Sequence, residues 1–130
     1  MATLTAKQIT ELANDFLGMA QAVGDYRYQN YGKLTKAQNK QLSDLHWTLL
    51  NYSEDLFTQS AIFVLDDVDG SLDQIKDISR QMTETYKQLA KVQQVIDISA
   101  AAATLGAAIF SKNPVAIAGA VQALVKSIKG

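Results

Sequence analysis

The chain has 130 residues, 48% hydrophobic and 19% charged, which suits one globular domain, 1–130, and excludes a disordered chain. It has no cysteine, so disulfides and thiol chemistry are ruled out. A net charge of −1 provides no overall basic surface for nucleic acid.

The first residues, Met-Ala-Thr-Leu-Thr-Ala-Lys, lack the apolar region of a secretory signal. With the absence of cysteine, this favours a cytoplasmic setting. No unbroken run of about 20 apolar residues occurs, so no conventional membrane-spanning helix is expected.

The spacing predicts a first helix over 6–31. Thr5 and Gln8 form a capping box, with Leu4 and Ile9 placed as a hydrophobic staple. Ile9, Leu12, Ala13, Phe16, Ala20 and Val23 make its apolar stripe. Near its end, Tyr26, Tyr28 and Tyr31 cluster with Arg27 and Lys33. Such a mixture can stack on single-stranded nucleic acid. Asp25 is adjacent and only two cations are present, so the cluster reads instead as one end of a helical core.

A second helix is expected over 36–66, started by Thr35 and Gln38 in the same capping arrangement. Its stripe is Leu42, Leu45, Leu49, Tyr52, Leu56 and Phe63, widened by Trp47, Leu50, Phe57 and Val64. It runs into the acidic turn Asp66-Asp67-Val68-Asp69-Gly70. As a calcium loop with Gly70 sixth, this turn would put Leu65 first and Lys76 last, where carboxylates are required. It therefore reads as a turn that leads into a helix.

The third element is the longest. Ser71 and Gln74 suggest another capping box, and Ile75, Ile78, Met82, Thr85, Leu89, Val92, Ile96, Ser99, Ala103, Gly106 and Phe110 alternate by three and four. One helix of about 40 residues over 72–111 is expected, or else a break around Ser99 to Gly106. Asn113-Pro114 then caps and opens a short helix over 114–128. The fold class is thus all-α: an antiparallel up-and-down four-helix bundle with coiled-coil-like stripes.

No catalytic, cofactor or metal constellation emerges. The single His46 has no Glu three residues before it, as a di-iron bundle site would need. No nucleophile–base pair can be assembled without the same histidine. The expectation is a non-enzyme.

The C-terminal third is the functional hint. From Ile98 to Val125 the only charge is Lys112. Ala102 and Gly106, and Ala116 and Ala120, recur at the four-residue spacing that lets helices approach closely. The candidate interaction residues of this hairpin, 98–128, are Ala103, Gly106, Ala107, Phe110, Lys112, Pro114, Ile117 and Gly119. They point to self-association or a helical protein partner. The alternative is contact with membrane lipid, since long amphipathic helices leading to an Ala/Gly-rich hairpin resemble the plan of helical pore-forming proteins.

Overall fold

A computed structural model describes residues 2–58, 64–65, 68–88 and 91–129. Among these residues the fold is all-helical apart from one two-residue strand pair, and it has five helices. They are α1 (Ala6–Gln29), α2 (Lys36–Thr58), α3 (Val68–Lys87), α4 (Val92–Ser111) and α5 (Pro114–Lys129). A single 3-10 turn, Tyr31–Lys33, links α1 to α2. Strands β1 (Ala2–Thr3) and β2 (Val64–Leu65) pair antiparallel, with Ala2 opposite Leu65 and Thr3 opposite Val64.

Two of the expected helix starts form as the side chains dictate. Thr5 Oγ1 accepts from the Gln8 N–H at 3.1 Å, and Gln8 Oε1 accepts from the Thr5 N–H at 2.9 Å. Thr35 and Gln38 repeat this at the same distances. Leu4 and Ile9 are both buried in the core, as a staple requires.

Three expectations on helix bounds are corrected. Helix α2 ends at Thr58 instead of 66, and Val64–Leu65 is a strand. That strand closes the apolar run Ile62-Phe63-Val64-Leu65, rich in residues that fit extended backbone, and the N-terminal backbone supplies its partner. Helix α3 begins at Val68, so Ser71 lies inside it; the Ser71 side chain and the turn residues Asp66 and Asp67 lie outside what is described. The expected 40-residue helix is divided into α3 and α4, with the division between Lys87 and Val92 and none from Ser99 to Gly106.

The division reverses the chain. The Tyr86 hydroxyl lies 2.8 Å from Ser99 Oγ and donates toward the Val95 carbonyl at 3.3 Å. In one straight helix, Tyr86 and Ser99 would stand about 20 Å apart.

Around the molecule each helix packs on the next in the order α1, α2, α4, α5, α3 and back to α1, and α1 also touches α4. Arg27 to Asn39 and Phe16 to Tyr52 set α1 and α2 antiparallel. Asp15 to Ser79 and Tyr26 to Tyr86 set α1 and α3 parallel. Helix α4 runs from the Tyr86 end toward Tyr52, in the direction of α2. Of the expected core stripes, Leu12, Phe16, Leu42, Leu49 and Leu56 are buried, Leu45 and Tyr52 are half-buried and Phe63 lies outside the described residues; Ile75, Ile78 and Met82 of α3 are buried too.

Leu49 is fully enclosed. Leu49→Ala should therefore lower unfolding stability by about 2–5 kcal/mol in chemical denaturation, through lost transfer energy and the cavity left behind.

Asp15 sits half-buried where α1 meets α3, and its backbone carbonyl accepts from the Ser79 hydroxyl at 3.0 Å. Burial pushes its carboxyl up from 3.8 to about 6, against the pull of Lys76 and Arg80 and with a push from Glu11. The folded chain therefore holds this proton more tightly than the unfolded chain does. Stability should fall as pH rises through this window, from 3.8 to about 6, and then level off. Asp15→Asn should remove that slope and raise the melting temperature at pH 7, read by thermal melts across pH.

Candidate functional site

The C-terminal hairpin is built from α4, a two-residue turn and α5. The Lys112 backbone adopts the left-handed region, φ 59°, and its N–H donates to the Ile109 carbonyl at 3.1 Å. This is a helix-ending geometry usually given to glycine. Asn113 Oδ1 then accepts from the N–H groups of Val115 at 3.0 Å and Ala116 at 3.3 Å, and Pro114 fills the first helical position. The Asn-Pro restart thus has the capping role its sequence implies.

The inner faces are enclosed. Val95, Ile98, Ala102, Leu105 and Ile109 of α4 are buried, as are Ile117, Ala120, Val121 and Leu124 of α5. At Gly106 the Tyr52 ring lies so close that a Cβ would overlap it. Phe110 stacks on that ring with centroids 5.5 Å apart, and Phe16 meets it edge-on at 6.1 Å. The absent side chain at Gly106 is what lets this aromatic column form between α1, α2 and α4.

The outer faces are open. Thr104, Ala107 and Ser111 of α4 are exposed, and so are Ala116, Ala118, Gly119 and Ala123 of α5. Val115, beside the turn, is 78% exposed. The candidate residues therefore divide. Gly106 and Ile117 serve the core; Ala103, Phe110 and Pro114 are half-buried; Ala107, Lys112 and Gly119 face outward.

Helix α4 has 20 residues, and among the described residues it is the one helix long and apolar enough to cross a membrane by length and composition. This corrects the expectation that no such helix exists. Nearly half of its most apolar stretch is buried within the fold.

A groove of about 430 Å³ lies beside α5, lined by Gln74, Val121, Gln122, Val125, Lys126 and Lys129. It has an aliphatic floor and two ammonium groups.

The other sequence candidates separate. Tyr26 is buried against Tyr86, with ring centroids 5.9 Å apart, whereas Tyr28 is 84% exposed. The Arg27 guanidinium bonds Asn39 Oδ1 at 2.7 Å and lies 5.8 Å from the Tyr31 ring centre. His46 Nδ1 sits 2.8 Å from the Ala20 carbonyl, which can only accept, so this nitrogen carries the proton. That bond ties the imidazole to the α1–α2 contact. Among the described residues no three His, Asp or Glu side chains converge as metal ligands would.

Sequence reading missed Tyr86, whose phenol is buried and bonded at the chain reversal. The only signal was its place four residues after Met82, on the core face of α3. No family model, curated protein sequence or solved structure matches this chain.

Gly106→Ala tests the close approach at the aromatic column. Helix propensity alone would favour the alanine by about 1 kcal/mol. Overlap with the Tyr52 ring should override this and destabilise the fold by about 1–3 kcal/mol, measured by denaturant titration.

Proposed function

We propose that this chain is a non-enzymatic assembly module whose α4–α5 hairpin binds a second copy of itself or a helical protein partner. The observation that carries the reading is the division of the hairpin. Most of its large aliphatic side chains are already enclosed, while Thr104, Ala107, Ala118, Gly119 and Ala123 remain exposed. Small side chains allow a partner helix to approach backbone to backbone, where dispersion attraction is dense. Charge is kept to Asp97 in the second turn of α4, to the turn, at Lys112, and to the last helical turn, at Lys126 and Lys129.

A second reading has its own support. Helix α4 has the length and composition of a membrane span, and the α5 groove joins aliphatic side chains to two lysines. In this reading the hairpin enters lipid, with the lysines held at an anionic headgroup surface.

Ala107→Asp separates the two. Ala107 is exposed within the single chain, so the substitution should leave the melting temperature of dilute protein unchanged. In a protein interface it would strand an unpaired carboxylate and weaken association roughly a hundredfold. The expected result is a concentration-dependent mass in sedimentation that reverts to monomer in the variant. A chain that is monomeric throughout, binds anionic vesicles in a salt-sensitive way and loses that binding with Ala107→Asp would establish the lipid reading instead.

A further inference from the structure

The reversal between α3 and α4 has no local cause. Lys87-Gln88-Leu89-Ala90-Lys91 contains neither Gly nor Pro, and its residues are strong helix formers. Lys91 precedes α4 in extended conformation, φ −64° and ψ 143°, with no side-chain cap on the helix that follows. The apolar spacing Ile78, Met82, Thr85, Leu89, Val92, Ile96 continues across the division without interruption. Local preference therefore favours one long helix, and tertiary packing imposes two.

That packing is made by α4 and α5 as a unit. Helix α4 packs on α1 and α2, α5 packs on α3, and the two pack on each other through a tight capped turn. The hairpin can leave the bundle without losing its internal packing. Nothing in the way it meets α1, α2 and α3 requires that the same copy of the chain supply it.

We propose that the α4–α5 hairpin exchanges between two copies of this chain. In the exchanged dimer residues 68–111 form one continuous helix in each copy. Each hairpin fills, in the other copy, the place it occupies here. The same surfaces are buried in both forms, so the balance is set by the linking residues. Gln88 and Lys91, which lie outside the helices here, would join the helix on straightening, while association costs translational freedom. A continuous helix of 44 residues (68 to 111) would be about 66 Å long. Exchange uses the buried face of α4, so it does not rest on the assembly reading above.

The test compares the full chain with Lys91→Pro after refolding from denaturant at about millimolar concentration. The Lys91 φ of −64° already suits proline. In the interior of a continuous helix, proline removes a hydrogen bond and clashes with the preceding turn. The parent chain should yield a dimer that separates slowly on dilution and whose X-ray scattering shows the long dimension. Lys91→Pro should reduce the dimer fraction at least tenfold while its monomer melts normally. Gln88→Gly, which lowers helix preference at a turn position, should act in the same direction. Ala107→Asp should leave the exchanged dimer intact, whereas association through the exposed face would respond in the opposite pattern. A parent chain that stays monomeric after this refolding overturns the proposal, and so does a dimer that persists undiminished in both linker variants.

Discussion

The enclosure of α4 is the constraint on which the rest depends. Across twenty positions this helix carries one charged side chain, Asp97. Left on the outside of a bundle it would expose aliphatic surface on most of its circumference, at a cost of roughly 25 cal/mol for each Å². Three helices, α1, α2 and α5, are packed against it instead. The chain reversal after α3 follows from that requirement, because a straight continuation would carry α4 away from the surfaces of α1 and α2. Gly106 follows too. Tyr52 occupies the space beside it, so the helix with the greatest need of cover receives an aromatic ring at the position with no side chain.

Legibility in the sequence depended on how local the cause was. Both capping boxes, the Asn-Pro restart and the stripes of α1 and α2 are written in residues within one or two turns of each other, and they could be read directly. The reversal at Lys87 to Val92 could not. Its residues favour helix, and the force that overrides them comes from α1 and α2, much earlier in the chain. The strand pair escaped for the same reason: Val64–Leu65 meets its partner at Ala2–Thr3, beyond any local pattern. The hairpin was legible as a uniform, uncharged segment, but its division into enclosed and open faces was not. Alanine occurs on both sides of these helices, at buried Ala102 and Ala120 and exposed Ala107 and Ala118. Periodicity carries little information where one residue type serves both environments.

Among the described residues, three polar side chains bond across contacts between helices. The Tyr86 hydroxyl joins α3 to α4, the Ser79 hydroxyl joins α3 to α1, and the His46 imidazole joins α2 to α1. A hydrophobic stripe permits neighbouring helices to slide by a turn with modest loss. A directional bond between fixed positions does not, since a displaced donor or acceptor would be buried without a partner. These three bonds therefore define the register of the helices.

The strand pair between Ala2–Thr3 and Val64–Leu65 gives the order of synthesis a physical meaning. A chain leaving the ribosome completes α1, α2 and both strands before any of α4 has been made. The first sixty-five residues can close on themselves, with the antiparallel α1–α2 pair inside the loop and the strands fastening its ends. The most apolar helix then emerges toward partners that already exist, and α5 follows it. Placing the helix least suited to water late in the sequence shortens the interval in which it has nothing to bind.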